Sequence, residues 1–89
     1  MPLFQQDPQA QSTVVGDRVV LLHRLTQTTI IINPTGSRLW ELLAEPHSVA
    51  DLAAALQEIH EGLTPERAGV DATAFLDSLL AQGLLIRHG

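Results

Sequence analysis

The run Thr28–Ile32, followed directly by Asn33 and Pro34, is the feature that most constrains the fold of this 89-residue chain. Threonine and isoleucine are β-branched, so the run predicts a strand. Asparagine is a good helix N-cap and proline fits the first helical position, so a helix is expected to begin immediately after the strand. Few other runs in the chain favour strands, and we therefore expect this one near the edge of a small sheet. It carries neither charge nor proline, the usual features that keep an edge strand from recruiting another chain.

Two segments before this run predict further strands. Residues 12–15 and 18–25 flank Gly16 and Asp17, a glycine-first pair that suits a two-residue hairpin turn. The three strands are joined by short turns, which predicts an antiparallel meander. Three helices are then expected behind the capping residues Asn33, Ser48 and Thr64, over residues 34–44, 49–60 and 65–82. The sequence therefore predicts an α+β fold of the winged helix-turn-helix type, a three-stranded antiparallel sheet followed by three helices.

Length and composition predict one folded domain. Hydrophobic residues make up 45% of the chain and charged residues 17%, which is typical of a globular protein. The polar residues 1–11 are expected to form a flexible N-terminal arm, residues 12–89 the domain, and residues 84–86 an extended tail along the sheet or helices. No apolar run reaches the length of about 18 residues that a membrane span needs, and the start does not resemble a signal peptide. We expect a cytoplasmic protein with no membrane partner.

Acidic residues are concentrated in the second half of the chain. Residues 41–89 contain eight acids against two arginines, residues 1–40 contain two acids against three arginines, and there is no lysine. A nucleic-acid-binding protein needs cations to neutralise phosphates, so this composition disfavours nucleic-acid partners. It suits a partner with basic residues, although solubility alone also accounts for it.

No pattern in the sequence indicates catalysis or a metal site. The chain has no cysteine, and its four histidines do not follow a metal-binding spacing. Asp71 and Asp77 are six residues apart on one predicted helix, so their carboxylates do not converge. We expect a protein that is not an enzyme and that holds no metal or cofactor.

The uncharged edge strand is the remaining candidate for function. An extended peptide can satisfy the unpaired N–H and C=O groups of such a strand by adding one more strand to the sheet. The alternative is that Ile30, Ile31 and Ile32 are core residues, covered by the C-terminal tail or by a second subunit. The residues alone leave both interpretations open.

The order of three segments resembles the PqqD-like family, which includes the recognition elements of ribosomally made, post-translationally modified peptides. The segments are VVLLHRLTQTTIIINPTGSRLWELL, SVADLAAALQE and VDATAFLDSLLAQGLL, and the resemblance covers residues 13–86. The last segment has the family's spacing at Asp71, Phe75, Leu76, Leu79, Gly83, Leu84 and Leu85.

The resemblance implies a non-catalytic peptide chaperone. The leader region of a precursor peptide would bind as an antiparallel strand between the third strand and the third helix. It would then be presented to a modification enzyme such as a radical SAM enzyme, a cyclase or a leader peptidase. The residues implied in binding are Thr28, Thr29, Ile30, Ile31, Ile32, Arg67, Asp71, Phe75, Ser78 and Leu79.

Two alternatives accompany this interpretation. Pairing of the same edge between two copies would form a homodimer and would compete with peptide binding. An acidic winged-helix protein that regulates transcription, or a general protein-interaction module, is the second alternative.

Overall fold

The computed structural model describes residues 2–88, which contain five strands and three helices. In chain order these are β1 (Leu3–Gln6), β2 (Ala10–Val15), β3 (Arg18–His23), β4 (Thr29–Ile32), α1 (Pro34–Leu42), α2 (Val49–Ile59), α3 (Pro65–Ala81) and β5 (Leu85–His88). The predicted α+β fold is confirmed, with its three-stranded antiparallel sheet followed by three helices. None of the helices in this part of the chain is long and apolar enough to cross a membrane.

The three-stranded sheet has the order β2–β3–β4, so that β4 is an edge strand. Gly16 lies in the turn between β2 and β3, with a positive φ of 66° that glycine adopts without strain. Strand β2 begins at Ala10, two residues earlier than the sequence predicted. In the pairing of β3 with β4, Val19 lies opposite Ile32 and Leu22 opposite Thr29.

The core lies where the helices pack against the sheet and against each other. Leu21 of β3 and Ile32 of β4 supply its sheet side. The helices and β5 contribute mainly leucines, and Trp40 of α1 joins them, with a side chain that is only 3% exposed. The buried helical and C-terminal residues are Leu39, Trp40, Leu43, Leu52, Leu56, Ala68, Ala72, Leu76, Leu79, Leu84 and Leu85.

The expectation of a flexible N-terminal arm over residues 1–11 is wrong for the described residues. Strand β1 pairs antiparallel with β5, and Phe4 is buried in the core. On its other side, the Phe4 N–H donates to the His47 carbonyl at 2.7 Å and the Phe4 carbonyl accepts from the His47 N–H at 2.9 Å. Residue 1 lies outside the described residues. The C-terminal segment thus pairs with β1 and not with the three-stranded sheet.

The side chains and backbone of β1 also complete the end of α1. A helix leaves its last carbonyls without intrahelical partners. The Gln6 side chain donates to the Trp40 carbonyl at 2.7 Å, and the Gln6 N–H donates to the Leu43 carbonyl at 2.7 Å. The Gln5 side chain donates to the Ala44 carbonyl at 3.2 Å. These three hydrogen bonds explain why a polar segment is ordered.

The predicted helix caps are all present. Asn33 Oδ1 accepts from the Gly36 N–H at 2.7 Å, and Thr64 Oγ1 accepts from the Arg67 N–H at 3.2 Å. Ser48 and Asp51 form a reciprocal capping box at the start of α2. The backbone N–H of Ser48, and then the side chain of His47, stabilise the Asp51 carboxylate and lower its pKa below the ordinary value.

Candidate functional site

Strand β4 has an outer edge that no other strand covers among residues 2–88. The His23 N–H donates to the Thr28 carbonyl at 2.9 Å, which fixes the phase of the ladder between β3 and β4. Because antiparallel pairs alternate between bonded and non-bonded positions, the N–H and C=O groups of residues 30 and 32 point towards β3. The same groups of Thr29 and Ile31 point away from β3, towards the open edge. This edge therefore offers two residues with free backbone donors and acceptors to an incoming strand.

The isoleucines of β4 alternate between the core and the solvent. Ile32 is buried and Ile30 is partly buried, whereas Ile31 is 66% exposed on the opposite face of the sheet. The two interpretations of the isoleucines, core residues or an exposed edge, thus hold for different residues. Ile30 and Ile32 contribute to the protein interior, and Ile31 is exposed.

The turn before β4 is held by the buried side chain of His23. Its Nδ1 accepts from the Leu25 N–H at 3.2 Å and from the Thr26 N–H at 3.3 Å. Gln27 has a positive φ of 63°, the one non-glycine residue with this conformation among those described. Thr28 belongs to this turn and not to β4. The turn fixes where the open edge begins.

A groove of about 480 Å³ lies beside the open edge, between β4 and α3. The start of α1 and the end of α2 close its other sides. Aliphatic and aromatic residues make up half of its lining and stand beside four polar residues, a combination that suits a ligand site. The lining residues are Ile31, Ile32, Asn33, Thr35, Gly36, Leu39, Leu56, His60, Asp71 and Phe75.

Gly36 lets α1 approach Phe75 closely. A Cβ atom built on Gly36 would lie 3.2 Å from Phe75 Cε1 and 3.4 Å from Ile32 Cβ, which is tighter than ordinary contact. The Asn33 cap sets this position, because it starts α1 immediately after β4 and binds the Gly36 N–H. The junction between strand and helix therefore forms the wall of the groove next to the aromatic ring.

Two polar pairs stand at the groove. Asp71 Oδ1 lies 3.2 Å from Arg67 Nε, one turn away on α3, and both side chains are substantially exposed. Thr35 Oγ1 lies 3.3 Å from His60 Nε2 and links the start of α1 to the end of α2. Asp71 is the only carboxylate in the lining. The groove thus combines an apolar interior with one negative charge.

The structure brings together only part of the predicted set. Ile31, Ile32, Asp71 and Phe75 line the groove, and Arg67 lies beside it through its ion pair. The predicted residues outside the lining are Thr28 in the turn, Thr29 at the strand's start, Ile30 against the core, the exposed Ser78 and the buried Leu79.

Leu79 does not line the groove, because its side chain is 1% exposed within the core. The lining residues absent from the predicted set come from α1, α2 and the junction before α1. Among these, Gly36 gave a signal in the sequence, since glycine inside a helix is unfavourable unless close packing requires it.

A second groove, of about 600 Å³, lies between α1 and α2. Charged residues make up half of its lining, namely Arg38, Glu41 and Glu58. It adjoins neither β4 nor any other strand edge. The groove beside β4 is therefore the better candidate, because it alone of the two combines an apolar lining with free backbone groups. Within residues 2–88, no three His, Cys, Asp or Glu residues are grouped so as to hold a metal ion.

Comparison with known proteins places the chain in a family. The family model described as coenzyme PQQ synthesis protein D (PqqD) matches residues 18–85, most of the chain. The chain belongs to the PqqD family. The matched segment of this PqqD-family protein runs from β3 to the first residue of β5 and includes every residue that lines the groove.

Two solved structures share the fold of this PqqD-family protein. TbiB1 in complex with the TbiA(beta) leader peptide is 28% identical, with a TM-score of 0.81 over 91% of this chain and 93% of that one. A lasso peptide synthetase B1 complexed with the leader peptide is 25% identical, with a TM-score of 0.80 over 93% of this chain and 96% of that one. No curated protein sequence matches the chain significantly.

Proposed function

We propose that this PqqD-family protein binds the leader region of a ribosomally made precursor peptide by strand addition to β4. The observation that carries the proposal is the open, uncharged edge of β4 directly beside an apolar groove. Both similar structures are complexes with leader peptides, which supports the same class of ligand here.

The ladder defines how such a peptide would lie. In an antiparallel addition, two peptide residues exchange backbone hydrogen bonds with Thr29 and Ile31. Side chains of an added strand alternate between the two faces, so every second peptide residue shares the face of Ile30 and Ile32. These residues would enter the groove and contact Phe75. The ligand is therefore an extended peptide with apolar residues at alternate positions.

We propose a non-catalytic role for the groove. Half of its lining residues are aliphatic or aromatic, and several of its polar groups already have structural partners. Asn33 caps α1, and Asp71 pairs with Arg67. The protein would present the bound precursor to a separate modification enzyme, such as a radical SAM enzyme, a cyclase or a leader peptidase.

Nucleic-acid binding through α3 finds no support in the exposed surface of that helix. Glu66 and Asp77 are exposed on it, and carboxylates repel phosphates. The cytoplasmic location and the homodimer formed by pairing of β4 edges stay predictions. Size-exclusion chromatography with light scattering, at several protein concentrations, measures the second of these.

Isothermal titration calorimetry with the leader of the short precursor encoded nearest to this gene tests the proposed function. The wild-type chain is expected to bind the leader and not a scrambled version of it. Ile31→Glu should abolish binding, because the Ile31 side chain is exposed on the outer face of β4, where alternate side chains of an added strand would pack beside it, and a charge there opposes an apolar contact. Val70→Glu is the matched control, since Val70 is 59% exposed on α3 and lines a different surface. Equal binding by both folded variants would contradict strand addition at β4.

A further inference from the structure

We propose that Asp71 makes this site selective for peptides that carry a lysine or arginine beside their apolar residues. The inference rests on the proposed function, and it specifies the ligand further. Asp71 is the only carboxylate that lines the groove, and the side chain is 40% exposed. A peptide lying in the groove would remove water from this carboxylate, and a desolvated charge is costly unless it is paired.

Arg67 is the partner that holds Asp71 in the absence of a ligand, and several features make this pair easy to replace. The Arg67 side chain is 68% exposed and lies outside the groove lining, so the pair is screened by solvent. Arg67 also occupies the first turn of α3, where the helix dipole disfavours a cation. Arginine four residues before an acid is, in addition, the weaker orientation of a helical ion pair.

The charge of the protein favours a cationic ligand over an acidic one. The chain has a net charge of −5, and the acids are concentrated in the second half that includes α3. A peptide lysine or arginine would be attracted by this field and could take the place of Arg67 at Asp71. A peptide carboxylate at the same position would face Asp71 directly and would be repelled.

Selection from a displayed library of random 12-residue peptides tests the inference. Peptides selected by the wild-type chain should share alternate apolar residues and a lysine or arginine at one fixed distance from them. Asp71→Asn should select the same apolar residues without the basic one. Asp77→Asn is the matched control, because Asp77 is exposed on the same helix outside the groove and its replacement changes the net charge equally.

Affinities of one selected peptide make the test quantitative. The wild-type chain should bind the peptide with lysine at the basic position about two- to fivefold more tightly than the same peptide with norleucine there, as expected for a solvent-accessible ion pair. This affinity advantage of the lysine peptide should shrink at high salt. The advantage should vanish in Asp71→Asn and persist in Asp77→Asn. Arg67→Gln should increase the affinity advantage of the lysine peptide, since the cation that competes for Asp71 is removed. If the Arg67–Asp71 pair were merely structural, this substitution would give no increase.

The outcomes separate this inference from the proposed function. A lysine preference of equal strength in Asp71→Asn, or selection of acidic peptides by the wild-type chain, would overturn the inference and leave strand addition intact. Selected peptides without alternate apolar residues, whose affinity does not respond to Ile31→Glu, would overturn the proposed function and this inference together.

Discussion

Proline substitutions at two neighbouring residues of β4 should have opposite consequences. The ladder directs the N–H of Ile31 to the open edge and the N–H of Ile30 to β3. Proline has no N–H, and it is tolerated on an edge strand where that group faces outwards. Ile31→Pro should therefore leave the protein folded and remove one donor that the ligand needs. Ile30→Pro removes a bond within the sheet.

The magnitudes follow from the environment of each lost bond. For Ile31→Pro, the bound peptide loses one hydrogen bond and keeps an unpaired carbonyl at the interface, a cost of about 2 kcal/mol. This corresponds to a Kd about 30-fold higher. For Ile30→Pro, the partner residue Leu21 is fully buried, so its carbonyl would be left without a partner in the core. We expect a loss of unfolding free energy of at least about 2 kcal/mol.

Calorimetry with the leader peptide and urea denaturation of both variants check these values. Ile31→Pro should lose affinity for the peptide, while its free energy of unfolding changes by less than that of Ile30→Pro. A folded Ile31→Pro variant with unchanged affinity would refute the assignment of its N–H to the ligand. A stable Ile30→Pro variant would refute the phase of the ladder.

Three further substitutions test other parts of the structure. Phe4→Ala should lower the free energy of unfolding by about 3–5 kcal/mol in urea denaturation because the ring is buried, and a loss below about 1 kcal/mol would show that β1 is not part of the core. Gly36→Ala should move the Phe75 ring towards the groove and weaken peptide binding in calorimetry. Thermal stability should change little, because the better helix propensity of alanine and the crowding of its methyl group are each worth about 1 kcal/mol and oppose each other. Ser48→Ala should lower the free energy of unfolding by about 1 kcal/mol at neutral pH through loss of the helix cap, as measured by urea denaturation. Because the pKa of Asp51 is lowered in the folded state, the contribution of its carboxylate is present above the ordinary carboxyl pKa and is lost as the pH falls through the lowered one. Ser48→Ala keeps the backbone N–H from which Asp51 accepts, so wild type and variant should lose this stability in parallel in acid, and a difference between them that vanishes in acid would contradict this.

Local signals explain what the sequence predicted correctly. The β-branched run before Asn33 and Pro34 determines both the end of β4 and the start of α1, because capping and extended preference act within a few residues. The caps at Ser48 and Thr64 placed α2 and α3 in the same way. An edge position for β4 followed from the small number of strands available to cover it.

Non-local contacts explain what the sequence did not predict. Strand β1 is ordered by β5, which lies about 80 residues later in the chain, and by the carbonyls at the end of α1. The composition of residues 1–11, polar with prolines at positions 2 and 8, indicated a flexible segment. The groove is formed by four elements at once, so that Leu56 of α2 and His60, which follows that helix, join it only through packing. Phe75 and Leu79 are four residues apart on α3 and were both implied in binding, but packing buries Leu79 and leaves part of Phe75 exposed.

Amide hydrogen exchange of β4, followed by NMR with and without the leader peptide, tests the central claim most directly. In the free protein, the amide protons of Ile30 and Ile32 should be protected by β3, whereas those of Thr29 and Ile31 should exchange rapidly. Saturating peptide should protect Thr29 and Ile31 strongly, because their N–H groups then donate to the added strand. Peptide binding that leaves these two protons unprotected, or protection of both in the free monomer, would contradict the claim that β4 is an open edge for a peptide strand.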